Sequence, residues 1–196
     1  MSNKLDAKEA TFLGRKISVT RQQIVQSAFD IAKQDGFEGL TARKLAGYIG
    51  CSTQPIFREY SSMEKLYDEI YELIMQDFSA FYKAFQKTVD TPFVDLGLAY
   101  ISYANKSPEF FKILFLQEKR CGKGLYELLN GAEGNLLKEI NKASARGAKN
   151  PSDLFMKMWI FIHGAACMVI TGDFDLTEFQ TKVLLEDNYM SYVNAS

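Results

Sequence analysis

A chain of 196 residues with 47% hydrophobic side chains can bury a substantial core, which excludes an intrinsically disordered protein. The charges nearly balance, with 23 basic and 24 acidic residues, so the net charge alone indicates nothing about nucleic acid. The distribution is uneven, because residues 1–65 carry 10 basic against 7 acidic side chains and residues 66–196 carry 13 against 17.

The chain shows no pattern typical of export or of a membrane protein. The segment from Met1 to Lys16 is polar and lacks the apolar stretch of a secretory signal. The most apolar run, Leu154 to Thr171, approaches membrane-spanning length but is interrupted by Lys157 and His163. We therefore expect a buried helix there, no membrane partner and a cytoplasmic protein.

Apolar residues recur at intervals of three and four, which predicts an all-α chain. The first helix is expected to begin at Thr20, a hydroxyl cap, and to stop at Gly36. Two short helices, Thr41 to Ile49 and Ser52 to Glu59, follow around Gly50, with Thr41 and Ser52 as candidate caps. Two short helices joined by a glycine at the turn indicate a helix-turn-helix. The apolar residues expected to hold these helices together are Ile24, Ala28, Ile31, Ala32, Leu45, Ala46, Ile49 and Ile56.

A long amphipathic helix is predicted from Ser62 to about Thr88, and it would extend roughly 40 Å. Its apolar stripe comprises Leu66, Ile70, Leu73, Ile74, Phe78, Phe81 and Phe85. Further helices are predicted at Pro92 to Asn105, Pro108 to Leu116, Gly124 to Ala145, Pro151 to Thr171 and Asp175 to Tyr192.

Three segments resemble the TetR-type DNA-binding domain. They read GFEGLTARKLA from Gly36, GCSTQPIFREY from Gly50, and EKL from Glu64. The chain departs from the usual pattern at Phe57, where tyrosine is common, at Tyr60, where phenylalanine is common, and at Met63, where lysine is common. The resemblance implies a flexible arm at 1–17, a three-helix helix-turn-helix DNA-binding domain at 18–65, and a helical effector-binding and dimerisation domain at 66–196, joined by the long helix.

In this arrangement the second short helix enters the major groove, and its N-terminal residues Thr53, Gln54 and Pro55 would read bases. Gln54 suits adenine, and Arg43 can reach a guanine. The remaining interface residues are Thr41, Lys44, Phe57, Arg58, Tyr60 and Lys65, expected mainly at phosphates. The alternative is that Arg43, Lys44 and Arg58 form an ordinary solvated face. The basic arm is a candidate minor-groove contact, although a disordered tail is the favoured interpretation.

The C-terminal half carries a second resemblance, to a Trp-His-Gly group of TetR-type domains, at Trp159, His163 and Gly164 and then at Gly172 to Phe174. It implies that the last two helices pair with their copies as a dimeric four-helix bundle. The expected seam on the final helix comprises Leu176, Phe179, Val183, Met190 and Val193.

Aromatic residues of the expected domain at 66–196 are candidates for contact with an apolar or aromatic small-molecule effector. They are Phe78, Phe81, Phe111, Phe115, Trp159 and His163. Ordinary core packing is the alternative, because aromatic side chains at helical spacing usually form a core.

Together these patterns predict a ligand-responsive transcriptional regulator, a repressor, that binds a palindromic DNA operator as a homodimer. Two alternatives stay open. One is a helical protein-interaction module, and the other is a small enzyme using Cys121 or Cys167 with His163. The spacing of Cys167 and His163 supplies no third group to orient the histidine, and three scattered cysteines with one histidine do not form a zinc site, so we expect no enzyme, no metal and no cofactor.

Overall fold

The computed structural model describes residues 19–117 and 123–194, and all regular structure within these ranges is helical. The expected arm at 1–17 and Cys121 lie outside the described residues. The helices are α1 Arg21–Gly39, α2 Ala42–Ile49, α3 Gln54–Glu59, α4 Met63–Ala84, α5 Val94–Lys106, α6 Pro108–Phe111, a π-helix at Lys112–Leu116, α7 Leu125–Asn130, α8 Asn135–Ala145, α9 Pro151–Thr171 and α10 Glu178–Asn194.

Helix α1 begins where the sequence predicts. The hydroxyl of Thr20 accepts from the backbone N–H of Gln23, whose side chain accepts in return from the N–H of Thr20, so two end donors are satisfied. At Gly36 the backbone leaves the helical region with a φ of 67°, and a further turn carries the chain to Gly39. Gly36 therefore breaks the helix as expected, although it does not end it.

The next two helices form the predicted helix-turn-helix. Thr41 caps α2 by accepting from the N–H of Lys44, and Gly50 makes the turn with a φ of 80°. The prediction of Ser52 as the second cap is wrong, because α3 begins at Gln54 and its flanking residue is Thr53. Pro55 sets this start, since a proline fits the first turn, where no helical partner exists for an N–H.

Helix α4 connects the N-terminal helices to the rest of the chain. It packs against α1 and against α5. It ends at Ala84 rather than near Thr88, because Phe85 adopts an extended backbone. Most of the predicted stripe is buried, and the sequence analysis missed two further buried side chains, Tyr71 and Tyr82.

The helices that follow α4 form the body. It is built around α5 and α9, which pack along each other, with α10 and α8 against α9. The predicted helix from Gly124 to Ala145 is two helices, because Gly131 and Gly134 both adopt a positive φ between α7 and α8. The segment from Pro108 forms one short α-helical turn and then the π-helix.

Helix α9 has the predicted bounds. By length and composition alone it could cross a membrane, a test that core helices of soluble proteins also pass. One face is buried and includes Met158, Ile162 and Ala166, whereas Ile160 on the other face is 67% exposed. The expectation of a buried helix is therefore correct for one face of α9.

Candidate DNA interface and effector region

The N-terminal end of α3 is exposed and carries the three residues expected to read bases. Thr53 and Gln54 are exposed and Pro55 is half-buried. Phe57, one turn on, is 50% exposed. Ile56 is fully buried and anchors the helix on the head, the unit formed by α1, α2, α3 and the start of α4. A six-residue helix held by one buried side chain thus presents its polar end outwards.

Helix α2 places two basic side chains beside its capped start. Arg43 and Lys44 are both exposed. The Lys44 ammonium lies 2.9 Å from the carboxylate of Asp35 on α1, and both side chains are more than 40% exposed. Such a surface pair contributes only about 0 to 1 kcal/mol, so a phosphate can displace the carboxylate.

Two more predicted phosphate contacts are exposed and weakly paired. The guanidinium of Arg58 lies 3.7 Å from the carboxylate of Glu59, and the ammonium of Lys65 lies 3.9 Å from that of Asp68. Both distances are long for an ion pair, so each cation is available to an incoming anion.

Tyr60 is not the exposed phosphate contact that the sequence predicts. Its side chain is buried, and its hydroxyl donates to the Glu69 carboxylate at 2.7 Å. Burial, followed by the hydrogen bond with Glu69, raises the pKa of Tyr60 to about 12. The ring also lies under the Arg21 guanidinium, 5.2 Å from the ring centroid. In this conformation Tyr60 is therefore a packing residue that holds the C-terminal end of α3, not a phosphate contact.

A second tyrosine, on α4, holds the loop that precedes α2. The Tyr67 hydroxyl donates to the Leu40 carbonyl at 2.6 Å, and its ring stacks on Phe37 with centroids 5.0 Å apart. Sequence reasoning missed both Tyr67 and Glu69. The signal available in the sequence was that both are polar side chains placed among the apolar residues of α4.

Tyr100, on α5, is the centre of an aromatic cluster in the body, and sequence reasoning missed it. Its ring lies 4.9 Å from that of Phe111, 4.7 Å from Phe115 and 4.7 Å from Trp159, measured between centroids. Its hydroxyl is 2.9 Å from Nδ1 of His163. With Phe78, whose ring also lies against those of Tyr100 and Phe115, the structure thus brings together five of the six residues predicted to contact an effector.

These predicted effector contacts differ in their accessibility. Phe78, Phe111, Phe115 and Trp159 are buried and pack on Tyr100 or on one another, which favours ordinary core. Phe81 and His163 are half-buried. Direct contact with an effector stays a prediction for all six.

Among the grooves of the described residues, two lie along this body. One, of about 340 Å³, lies between α5 and the α9–α10 connection and is lined by Leu98, Ile101, Ser102, Asn105, Val169, Gly172, Phe174, Leu176, Glu178 and Thr181. The other, of about 410 Å³, lies at the end of α4 and includes Phe81, Phe85 and Lys106. Both include Glu178, so they meet at the start of α10. Their volumes fit a small organic molecule.

The pair proposed for an enzyme is not activated. The Cys167 sulfur lies 3.7 Å from Nε2 of His163, but burial raises the pKa of the thiol, which disfavours the reactive thiolate. Among residues 19–117 and 123–194, no group of three or more histidine, cysteine or acidic side chains is placed to hold a metal ion.

An apolar face on α9 and α10 is exposed in the single chain. Phe179 is 72% exposed, which is unusual for a phenylalanine. Of the predicted seam residues, Val193 alone is half-buried. The exposed apolar side chains of the two helices are Met156, Ile160, Met168, Phe179, Val183, Leu184 and Met190. Leu176, predicted on the final helix, is also exposed but lies in the connection before α10.

No protein-family profile and no curated protein matches this sequence. Solved structures do match. A protein from Vibrio parahaemolyticus described as a TetR-family transcriptional regulator has a TM-score of 0.59 at 17% identity, over 86% of this chain and 96% of that one. One from a Rhodococcus species has a TM-score of 0.62 at 14% identity, over 88% and 98%. One from Rhodococcus sp. RHA1 has 0.60 at 13% identity, over 94% and 100%.

This chain has the TetR-family fold. The TetR-family fold extends through the body, because each of these matches covers at least 86% of the chain. The motif resemblance at Gly36 to Leu66 is thereby confirmed at the level of fold. All three structures are described as transcriptional regulators and not as enzymes.

Proposed function

We propose that this protein is a TetR-family transcriptional regulator that binds a palindromic DNA operator as a homodimer and responds to a small molecule. The observation that carries the proposal is the exposed N-terminal end of α3, with Thr53 and Gln54 outermost, on a helix-turn-helix fixed by a buried Ile56. Exposed polar side chains at this end of a short helix are what reading a major groove requires.

Within that interface each residue has a proposed role. Gln54 pairs with adenine, while Thr53 and Pro55 contact thymine methyl groups and Arg43 contacts guanine. The side chains proposed to lie at phosphates are Thr41, Lys44, Phe57, Arg58 and Lys65, with Phe57 packing against the sugar-phosphate backbone. The functional boundary of the DNA-binding domain is proposed at residue 65, two residues inside α4.

The exposed apolar face of α9 and α10 supports a homodimer. An apolar face of this kind on a soluble protein marks an interface. A second copy presents the same face, so the two helix pairs can bury each other as a four-helix bundle. Two heads are then available for two half-sites, about 34 to 36 Å apart.

The effector is proposed to be a small molecule with apolar or aromatic groups. The two grooves support this choice, because they combine apolar walls such as Ile101 and Phe81 with the polar groups of Asn105, Lys106 and Glu178. Binding there would shift α4 through Phe81 and Phe85 near its end, and α4 carries the head. Release of DNA on binding would make the protein a repressor, acting in the cytoplasm.

The deciding experiment is selection of binding sites from random duplex DNA by the purified protein, read by sequencing at moderate salt. The expected result is a palindrome with half-sites one helical turn apart. A folded, dimeric protein that enriches no sequence would contradict the proposal and favour a protein-interaction module. Compounds that lower the affinity for the selected site then identify the effector.

A further inference from the structure

Two side chains from different parts of the head converge at the carboxylate of a third residue, Glu69. Glu69, on α4, accepts from the Arg21 guanidinium at 2.6 Å and from the Tyr60 hydroxyl at 2.7 Å, both at Oε2. Arg21 is the first residue of α1, and it also lies over the Tyr60 ring. We call these three residues the Glu69 cluster.

The cluster holds the end of the DNA-reading helix. Tyr60 directly follows α3, and its backbone N–H closes the last turn by donating to the Ile56 carbonyl at 2.9 Å. A helix of only six residues has no stability of its own in water, so its direction depends on contacts at its ends. The buried ring and the directed hydroxyl of Tyr60 supply such contacts at the C-terminal end.

The cluster also links this end to both neighbouring helices. Residue 69 lies two turns into α4, and Arg21 belongs to the opening turn of α1. Although partial burial opposes it, hydrogen bonds from Arg21 and Tyr60 lower the pKa of Glu69, so the carboxylate is ionised at neutral pH. An ionised acceptor makes stronger hydrogen bonds than a neutral one.

We infer that Glu69 is a positioning residue for sequence-specific DNA recognition. Through Tyr60 it sets the direction of α3, and through Arg21 it ties that direction to α1. It lies on α4, outside the set of residues proposed to contact bases. The inference rests on the proposed function and adds to it a residue outside the helix-turn-helix motif, together with a reason for tyrosine at position 60, where the family usually has phenylalanine.

The alternative is that Glu69 contributes only to stability or to charge. A misdirected α3 loses contacts with the correct bases but keeps its phosphate contacts, so the loss falls on specific binding. A change in charge alters binding to any DNA. The ratio of the affinity for the selected site to that for random duplex therefore separates positioning from charge.

The test compares variants at temperatures where each is folded, as judged by circular dichroism. Glu69→Ala removes both hydrogen bonds, Glu69→Gln keeps an acceptor oxygen, and Tyr60→Phe removes only the hydroxyl. Glu72→Gln is the matched control, because Glu72 is one turn along the same helix, exposed, and pairs with Lys123 outside the head. Affinities for the selected site and for random duplex are measured at several salt concentrations.

We expect Glu69→Ala to lower the ratio of specific to random affinity roughly tenfold, with an unchanged salt slope. Glu69→Gln should recover part of that loss, and Tyr60→Phe combined with Glu69→Ala should lose less than the sum of the two. Glu72→Gln should keep the wild-type ratio. A folded Glu69→Ala protein with the wild-type ratio overturns the inference, whereas failure of the wild type to select any site overturns the proposed function itself.

Discussion

The side chain of Gln54 has no role in holding the head together, so its effect on DNA binding can be measured separately from folding. It is exposed at the start of α3. We expect Gln54→Ala to cost about 1 to 3 kcal/mol of discrimination at one base pair of the selected site and to leave the salt slope unchanged.

Arg58→Ala is the matched control, since it removes an exposed cation from the same helix. It should weaken binding to all sequences alike and reduce the salt slope by about one. Gel-shift titrations on matched and mismatched duplexes provide both quantities. Unchanged base preference in the Gln54→Ala protein would show that this residue does not read sequence.

The ionisation of Glu69 makes part of the stability of the head pH-dependent. Its pKa lies below the ordinary value of 4.5 in the folded protein, because the bonds from Arg21 and Tyr60 outweigh partial burial. A lowered pKa contributes stability that is present above 4.5 and is lost as the pH falls through the folded value.

We therefore expect the wild-type protein to have a larger free energy of unfolding than Glu69→Gln at pH 7. The difference should shrink as the pH falls below 4.5. Urea titrations of both proteins at several pH values measure it. A difference that stays constant down to about pH 3 would mean that the carboxylate gains nothing from its partners.

Individual residues of the interface were predictable only where local chemistry decides their place. Gln54 and Thr53 are exposed because they precede a buried Ile56 by one turn or less, and sequence spacing reveals that. The role of Tyr60 was missed because its partners, Glu69 and Arg21, lie 9 and 39 positions away. Spacing along one helix carries no information about contacts of that range.

At the scale of elements, Gly36 breaks α1 at the place where this helix contacts the body. Its φ of 67° and ψ of −173° belong to a region that only glycine adopts readily, and a Cβ there would lie 3.0 Å from the Glu109 carboxylate on α6. Close by, the Phe29 ring of α1 lies 4.8 Å from that of Phe110. The broken end of α1 is thus a contact between head and body.

Gly36→Ala should lower the free energy of unfolding by roughly 1 to 3 kcal/mol, because alanine strains this backbone conformation. Gly47→Ala is the control of opposite sign. Gly47 lies within α2, and no neighbouring atom lies within 4 Å of the place that an alanine methyl group would take, so alanine should stabilise the helix by about 0.5 to 1 kcal/mol. Chemical denaturation compares the two, and a neutral Gly36→Ala would show that the turn relaxes freely.

Helix existence was predictable along most of the chain, whereas helix boundaries depended on tertiary contacts. Thr20 and Thr41 cap their helices through bonds within three residues, which sequence patterns capture. The break between α7 and α8 follows two glycines with positive φ, yet apolar periodicity continues across it. The π-helix after Phe111 carries buried side chains such as Phe115, and apolar spacing alone does not distinguish it from an α-helix.

At the scale of the whole molecule, the distribution of apolar surface supports the proposed homodimer. The described chain buries an aromatic core around Tyr100 and yet leaves Phe179 and Ile160 exposed on neighbouring helices. Leaving such side chains in water forgoes about 25 cal/mol for each Å² of apolar surface. In the proposed homodimer a second copy would remove this cost and supply a second DNA-reading head, so one surface would serve both stability and function.

Phe179→Glu tests this dependence, because a charge at the centre of an apolar seam opposes association without disturbing a core that Phe179 does not enter. We expect the variant to sediment as a folded monomer and to lose most of its affinity for the palindrome, while single half-site binding stays weak and unchanged. Leu137→Glu is the control, since Leu137 is 54% exposed on α8, away from the seam. A Phe179→Glu protein that remains dimeric would place the interface elsewhere, and the operator spacing would then have to be set by another pair of surfaces.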